Sequence, residues 1–526
     1  MEPPMMGASM RKFILIAISA VIGLFFAGGS NLSRADEAVS PAVRGAYEKR
    51  CSWCHGLEGA GDGPASGYLN PAPRDFTLGM YKWKTTPYDE YSPSEGDLER
   101  MIAGRSEGGW DGLNETSMPG WSDTLGKLEI RDIGAYIKTF ASLGPAEKKE
   151  IEPSSGLKGA SKDVFEQGRK LFADRCSECH GELGRGDATK RLKDDWGGRT
   201  WPRNLTKDWT FRAGSDVKDI YRRIMAGIPG TQMPSFADPQ SKKRLSDEEA
   251  WAVASYVKTL NAPYKRPEDG TLINAAKIDG PVPTSVDDGR WEKAAYASFY
   301  TLPQIIAGER HFTPTINSIS VKALYNDIDI AFLVEWDDPT HGVPGDVKSM
   351  EIAGGEVFVD GAAMQFPVKP SGTLRPYFGM GDGSHPVNLW MWQAAGDGVA
   401  SARLLNARGA KEITERDAAM AGLTGSGVYS NGQWKAIFAR PLLTEDPSVD
   451  IQFSPDTFIP VALSAWDGSN NEKGSKHVLT QWQWVRLGRE EGGSPYLWPA
   501  LAGVATLAIE LLWVRSARKR REERPF

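Results

Sequence analysis

All four cysteines of the 526-residue chain fall in two copies of one five-residue pattern. The copies read Cys51-Ser-Trp-Cys54-His55 and Cys176-Ser-Glu-Cys179-His180. Two thiols three residues apart on a helical turn can bond to the vinyl groups of one haem, and the adjacent histidine can bind its iron from the same side. The pattern therefore predicts two covalent c-type haems, with His55 and His180 as iron ligands. No cysteine is left over for a disulfide.

The same spacing has two other chemical uses. Cys-x-x-Cys occurs in redox dithiols and as half of a zinc site. The histidine after both copies, and the recurrence of the surrounding sequence, favour haem over either alternative.

The opposite face of each iron needs a ligand from a distant loop. In both copies a methionine followed by proline comes later in the chain, at Met118 and Met233. A thioether ligand raises the reduction potential of a haem, and the proline stiffens the loop. We therefore predict Met118 and Met233 as the second iron ligands. Three further methionines compete, but they lack the equivalent position before proline: Met80, Met101 and Met225.

An internal repeat surrounds the two motifs. Each copy continues with a glycine-rich turn and a Pro-Arg pair, and closes with an apolar stretch at helical spacing, at 128–140 and 245–260. The second stretch opens with the capping-box pattern Ser246-Asp-Glu-Glu249. The copies predict two tandem all-α domains, residues 36–150 and 151–265. They resemble class I cytochrome c domains.

The first copy departs from the second in two places. It lacks a glycine eight residues before its leading cysteine, where the second copy has Gly168. Its methionine loop is also longer, with a glycine-rich insertion at 108–112.

After a predicted linker at 266–285, the sequence changes from helical to strand-like patterns. Short apolar runs at 328–335, 356–359, 434–438 and 459–463 are separated by Gly, Asp and Pro clusters. Short strands separated by turn residues predict an antiparallel β-sandwich at residues 286–490. With the two α domains it makes a multidomain chain, in agreement with its length and its ordinary globular composition.

Several strings in this third domain carry a family resemblance. They include Met364-Gln-Phe-Pro367, Phe378-Gly-Met-Gly-Asp382, Pro386-Val-Asn-Leu-Trp-Met-Trp392 and Trp466-Asp-Gly-Ser469. The domain resembles the haem b-binding gamma subunits of ethylbenzene dehydrogenase, dimethyl sulfide dehydrogenase and nitrite oxidoreductase. In that family a methionine and a lysine hold one non-covalent b haem.

The resemblance implies Met380 and Lys476 as the ligands of the b haem. Lysine binds iron only as the neutral amine, so its surroundings must lower its proton affinity. Lys473, His385 and His477 remain alternatives. Two other histidines are expected to have structural roles, namely His311 and His341.

Both ends of the chain suggest export and a membrane. Residues 1–35 have the charged, apolar and small-residue parts of a secretory signal peptide, although a retained anchor is the alternative. Residues 496–514 contain one charge, Glu510, and predict a transmembrane helix, with an amphipathic surface helix as the alternative. The basic tail 515–526 then belongs in the cytoplasm. We expect the body of the protein on the periplasmic face of the inner membrane.

Charge excludes one class of partner. The net charge of the chain is −6, and residues 36–495 alone carry −11, because both ends are basic. Nucleic-acid binding requires a basic surface, so no nucleic-acid partner is expected.

The family resemblance implies a function without a catalytic residue of its own. The chain would be a membrane-anchored electron-transfer subunit of a periplasmic molybdenum oxidoreductase, most like the gamma subunit of a nitrite oxidoreductase. Its partners would be iron–sulfur and molybdenum subunits on one side and a soluble cytochrome or terminal oxidase on the other. Alternatives are the cytochrome subunit of a bc-type quinol-oxidising complex, or a dihaem enzyme such as a peroxidase or thiosulfate dehydrogenase.

Overall fold

The computed structural model of the chain describes residues 39–104, 113–154, 157, 161–187, 191–353, 355–370, 375–395, 402–488 and 497–522. The predicted signal peptide, 1–35, and the glycine-rich insertion at 108–112 lie outside these residues. Two helical domains come first, followed by a β-rich domain and one long helix. The predicted fold class is therefore confirmed.

The first helical domain contains α1 (Pro41–Arg50), α2 (Ser52–His55), α3 (Glu95–Ala103) and α4 (Lys127–Thr139). Local signals set its helix ends. Ser94 and Asp97 form a capping box at the start of α3, and Gly104 ends that helix in the left-handed region, at φ 69°. Tyr47 of α1 and Ile133 of α4 are fully buried in its core.

The second helical domain contains α5 (Lys162–Arg175), α6 (Ser177–His180), α7 (Val217–Ala226) and α8 (Asp247–Val257), with two short paired strands, β1 (Leu192–Lys193) and β2 (Arg199–Thr200). The predicted capping box at Ser246 and Glu249 is present at the start of α8.

Gly168 explains one difference between the two helical domains. A Cβ at Gly168 would lie 2.1 Å from the carbonyl oxygen of Ala252, so glycine is required where α5 crosses α8. Val43, at the corresponding position of the first domain, is instead a half-buried residue that packs against the core.

The described residues of the β-rich domain form 14 strands and short helical segments. The strands are β3 (Leu272–Lys277), β4 (Ala297–Tyr300), β5 (Leu302–Pro303), β6 (Ser318–Tyr325), β7 (Asp329–Asp337), β8 (Gly361–Pro367), β9 (Val387–Gln393), β10 (Ala402–Ala407), β11 (Ile413–Arg416), β12 (Thr424–Ser430), β13 (Gln433–Pro441), β14 (Phe458–Trp466), β15 (Val478–Leu479) and β16 (Gln483–Leu487). The helical segments are α9 (Val347–Ala353) and single 3₁₀ turns at Gly289–Lys293, Ala418–Ala421 and Gly468–Asn470. Similar turns occur in the helical domains at Ser66–Tyr68 and Asp208–Thr210.

Two mainly antiparallel leaves form this domain. One leaf has the strand order β11-β10-β9-β8-β14, and the other β3-β6-β7-β13-β12. Strand β16 joins them by pairing antiparallel to β14 and parallel to β3. Strand β3 also pairs parallel to β6.

Two sequence predictions in this region are wrong. Leu272–Lys277 lies inside the predicted linker 266–285 but forms β3, because its backbone completes the junction between the two leaves. The run 356–359 is not a strand; it is unpaired chain that leads into β8.

Large aromatic side chains fill the space between the leaves. Phe332 on β7 contacts Trp390 on β9 at a centroid distance of 6.1 Å, and Trp336 contacts Trp392 at 6.2 Å. All four are buried. Since side chains alternate along a strand, Leu389 and Met391 of β9 point to the outer face of their leaf. That outer face matters for the third candidate haem site.

The final helix, α10, runs from Leu497 to Glu522. Its segment Pro499–Lys519 is long and apolar enough to cross a membrane, with a mean hydropathy of 1.5, and its residues are exposed. This agrees with the predicted apolar helix at 496–514.

Candidate functional site

The first haem c motif lies on α2, directly after α1. The His55 Nδ1–H donates a hydrogen bond of 2.9 Å to the backbone carbonyl of Arg74, and the ring of Phe76 stacks on the imidazole at 4.5 Å. Burial lowers the pKa of His55, which favours the neutral ring. With Nδ1 occupied by its proton, the lone pair of Nε2 is free for iron.

The second motif repeats this arrangement on α6. The His180 Nδ1–H donates a hydrogen bond of 3.0 Å to the carbonyl of Arg203, and burial again lowers the histidine pKa. Arg74 and Arg203 occupy equivalent positions in the two sequence repeats. The histidine-orienting contact is therefore part of the repeat itself.

The thiols do not have the properties of a redox dithiol. Burial raises the pKa of Cys51 to about 11 and that of Cys176 to about 12. Reactive Cys-x-x-Cys thiols have lowered pKa values, because the thiolate is the nucleophile. These half-buried thiols fit covalent haem attachment instead.

The two predicted methionine ligands have the same backbone frame. The Met118 N–H donates to Thr116 Oγ1 at 3.1 Å, and the Met233 N–H donates to Thr231 Oγ1 at 3.2 Å. Each methionine carbonyl accepts from an N–H five residues earlier, at Leu113 and Ile228. This equivalence supports the choice of Met118 and Met233 over the three other methionines, while iron coordination itself stays a prediction.

Each methionine loop is linked to the histidine-orienting arginine of the other helical domain, directly in the first case and through Trp196 in the second. Arg203 forms an ion pair with Glu115, three residues before Met118. Arg74 lies over the ring of Trp196 at 4.2 Å, and Trp196 packs against Gly230, three residues before Met233. The two haem c sites are thus neighbours. In each case the methionine loop of one domain is linked to the histidine-orienting arginine of the other.

Polar contacts join the second helical domain to the β-rich domain. Asp337 at the end of β7 accepts from Asn204 at 2.8 Å and pairs with the buried Lys207 at 2.6 Å. Arg185 donates to Gln433 at 2.9 Å. The second haem c site therefore lies next to the β-rich domain. The contacts are made by Arg185 and by the loop in which Arg203 orients His180.

Met380 packs on the outer face described above, and Lys476 lies in the loop between β14 and β15. Met380 is half-buried, adopts φ 74°, and packs against the cluster that contains Ala462 of β14. Lys476 lies two residues before Val478, which pairs with Ala465 of the same strand. Ala462 and Ala465 are three residues apart on β14, which corresponds to roughly 10 Å along the strand. The ammonium group of Lys476 is 3.2 Å from Glu309 and 28% exposed.

The alternative lysine lines a cavity on the same face. This cavity has a volume of about 360 Å³ and is bordered by Met391, Trp466 and Lys473. The Lys473 ammonium lies 3.8 Å above the ring of Phe358. Met391 was not predicted as a ligand. The alternation of side chains along β9 could have indicated that it lies on the outer face.

The histidines of the β-rich domain have protein partners. His477 is buried against Trp466, and burial lowers its pKa to about 4. His385 pairs with Asp382 at 3.0 Å. His311 pairs with Glu472 at 3.0 Å, and His341 stacks on Tyr429 at 5.1 Å, in keeping with structural roles.

Comparison with known families agrees with this division into three domains. Residues 42–141 and 165–261 match the cytochrome c family, and residues 288–418 match the family described as ethylbenzene dehydrogenase. The chain carries two cytochrome c domains and an ethylbenzene dehydrogenase domain.

Three curated relatives extend the comparison. A Haloferax mediterranei protein named respiratory nitrate reductase heme subunit ORF7 is 27% identical, over 39% of this chain and 69% of its own length. The dimethylsulfide dehydrogenase subunit gamma of Rhodovulum sulfidophilum is 31% identical, over 31% of this chain and 57% of its own length. The chlorate reductase subunit gamma of Ideonella dechloratans is 31% identical, over 25% of this chain and 51% of its own length. For the two gamma subunits, the match spans little more than half of their length.

Proposed function

We propose that this chain is a membrane-anchored, three-haem electron-transfer subunit of a periplasmic molybdenum oxidoreductase, most like the gamma subunit of a nitrite oxidoreductase. Its likeness to two gamma subunits and a nitrate reductase heme subunit supports the general role. The ethylbenzene dehydrogenase domain would receive electrons from an iron–sulfur subunit. The cytochrome c domains would deliver them to a soluble cytochrome or a terminal oxidase.

The observation that carries this proposal is the direct packing of both cytochrome c sites on each other and on the third domain. Glu115 beside Met118 binds Arg203, whose carbonyl orients His180. The next residue, Asn204, donates to Asp337 of the ethylbenzene dehydrogenase domain. A protein that conducts electrons has to hold its haems in fixed proximity, and these contacts hold both haem c sites together and against the ethylbenzene dehydrogenase domain.

For the b haem we propose Met380 and Lys476 as the ligand pair. Their backbones flank the same stretch of β14, and both side chains are long enough to reach into the space over its outer face. The half-buried setting of Lys476 and its contact with Glu309 would have to change, because only the neutral amine binds iron. When bound, a b haem supplies one-electron redox chemistry.

Tethering is proposed from the two ends of the chain. The segment Pro499–Lys519 supports a membrane anchor, and the basic residues after it favour a cytoplasmic C-terminus. The signal-like sequence at 1–35 supports export of the body to the periplasm.

Purification of the native protein from membranes tests the proposal. We expect molybdenum and iron–sulfur subunits to co-purify, and a pyridine haemochrome spectrum to give one b haem for two c haems. Co-migration with a cytochrome b and a Rieske protein, without molybdenum, would overturn the proposal in favour of a bc-type complex. A b:c ratio of zero to two would remove the third haem.

A further inference from the structure

Three aspartates meet in the interior of the ethylbenzene dehydrogenase domain, and none of them is among the candidate haem ligands named above. They are Asp338 after β7, Asp360 before β8 and Asp467 after β14. All three side chains are fully buried. One carboxylate oxygen from each lies within 4.8 Å of the others. Three carboxylates so close together in a protein interior repel one another unless a cation or protons compensate them.

The hydrogen bonds around the cluster leave one oxygen unsatisfied. The carboxylate of Asp360 accepts from Trp434 Nε1 and from the Gly468 N–H, each at 2.8 Å. The Asp467 carboxylate accepts from the Ser469 N–H at 2.9 Å. For Asp338, Oδ1 accepts from Thr340. Its Oδ2 is buried and has no hydrogen-bond partner. A buried carboxylate oxygen without a hydrogen bond carries an uncompensated desolvation cost. Here the carboxylate that carries it belongs to a cluster of three.

The charges around the cluster can be counted. Arg199 of the second cytochrome c domain donates to the Ser469 carbonyl at 3.1 Å, and the fields of Asp467 and Asp338 act on its guanidinium. Glu472, which accepts from the Asp467 N–H, is itself paired with His311. With all three carboxylates ionised, the guanidinium leaves a charge of −2, which one divalent cation cancels; without a cation, burial and the neighbouring carboxylates raise the pKa of Asp338 and Asp360 well above the usual value.

We propose that Asp338, Asp360 and Asp467 bind one calcium ion. Calcium takes oxygen ligands at 2.3–2.6 Å in flexible geometry, and three carboxylate oxygens that all lie within 4.8 Å of one another can reach one such ion. Magnesium demands a near-ideal octahedron and usually keeps several bound waters, which three fully buried carboxylates accommodate less well. No cysteine or histidine is in the set, so a softer metal has no matching donor.

A calcium ion at this site would stabilise the junction between the second cytochrome c domain and the ethylbenzene dehydrogenase domain. Its ligands come from three separate chain segments, and Arg199 reaches the same place from the cytochrome c side. Neighbouring contacts cross the junction as well: Gly432, whose carbonyl accepts from the Asp338 N–H, packs against Asp187 of the second cytochrome c domain. Calcium would thereby hold the second haem c site against the ethylbenzene dehydrogenase domain. This inference does not depend on the proposed electron-transfer role.

The test uses the full-length, haem-loaded protein in detergent. After gel filtration in metal-free buffer, plasma mass spectrometry should find about one calcium per chain. Chelator treatment should lower the thermal unfolding midpoint, and calcium, but not magnesium at the same concentration, should restore it.

The diagnostic variant is Asp338→Asn, which replaces the orphaned oxygen at nearly constant shape and leaves an acceptor for Thr340. We expect at least a tenfold weaker calcium affinity by titration calorimetry. Asp446→Asn, at an exposed aspartate that accepts from the Ser448 N–H at 3.0 Å, is the matched control and should bind calcium as the unmodified protein does.

The proposal fails if calcium is below about 0.2 per chain and the unfolding midpoint does not respond to calcium. That result would mean that protons or a water molecule satisfy the cluster, and Asp338→Asn would then be neutral or stabilising. If Asp338→Asn does not fold, the calcium content and the calcium-dependent midpoint of the unmodified protein decide the question.

Discussion

Glu115 and Arg203, 88 residues apart in the chain, form an ion pair between the methionine loop of one cytochrome c domain and the histidine-orienting residue of the other. The same carboxylate accepts from Asn317 of the ethylbenzene dehydrogenase domain at 2.5 Å. One side chain therefore contacts all three domains. It is a positioning residue, since it acts through the loops that hold Met118 and His180.

Replacing Glu115 by glutamine should loosen this junction. The pair is largely shielded, with 17% of the Glu115 side chain exposed, and Arg212 lies close by. We expect a loss of about 1–3 kcal/mol in the free energy of unfolding, between the values for exposed and buried pairs. Electron exchange between the two c haems, measured after flash reduction, should also slow. Glu166→Gln, at an exposed pair with Arg169, is the control and should change stability by less than about 0.5 kcal/mol. Equal effects of the two variants would show that the junction is unimportant.

Met118→His should lower the reduction potential of one c haem and leave the other unchanged. A thioether ligand raises the potential relative to imidazole, and axial ligation spans about 0.8 V overall, so a shift of about 0.1 V or more is expected. Spectroelectrochemical titration measures it. The same substitution at Met101 is the control. A shift at Met101 rather than Met118 would mean that the ligand was wrongly assigned.

Removing either proposed b-haem ligand should abolish the b-type spectrum while both c haems remain. We expect Met380→Ala and Lys476→Ala to change the b:c ratio from one to two to nearly zero to two. Met391→Ala and Lys473→Ala, on the neighbouring cavity, should retain the b haem. The reverse pattern would assign the haem to Met391 and Lys473.

Lys84 should make the stability of the first cytochrome c domain depend on alkaline pH. Burial lowers the pKa of its ammonium group to about 8. Between pH 8 and the ordinary value of 10.5, the unfolded chain holds a proton that the folded chain has lost, so stability rises with pH in this window. Unfolding measured from pH 7 to 10.5 should show this rise in the unmodified protein relative to Lys84→Met. The exposed Lys170→Met is the control. A pH profile of Lys84→Met parallel to that of the unmodified protein would contradict the prediction.

Truncation before Leu497 should release the protein from membranes without loss of its haems. The segment Pro499–Lys519 of α10 is exposed, so the unfolding midpoints of the three domains should be unchanged. Fractionation of membranes and soluble extract measures the release. Retention of the truncated chain in the membrane fraction would place the anchor at another segment.

The repeated motifs were readable from sequence because their chemistry is local. The two cysteines and the histidine of each haem c site fall within five residues, and Ser246 caps its helix through a residue three positions away. Strands β7, β13 and β14 were likewise predicted from short apolar runs bounded by turn residues. The run 356–359 misled because a strand also needs a partner, which no local pattern supplies.

Tertiary structure alone decided which distant residues meet. Glu115 and Arg203 belong to separate repeats, and their pairing depends on how the two cytochrome c domains dock. Asp338, Asp360 and Asp467 are ordinary loop aspartates in the sequence, yet the packing of the two leaves buries them together. Sequence determined the covalent haem sites, because short-range geometry places their groups. Contacts between domains come from packing of whole surfaces, whose complementarity does not appear in any single stretch of residues.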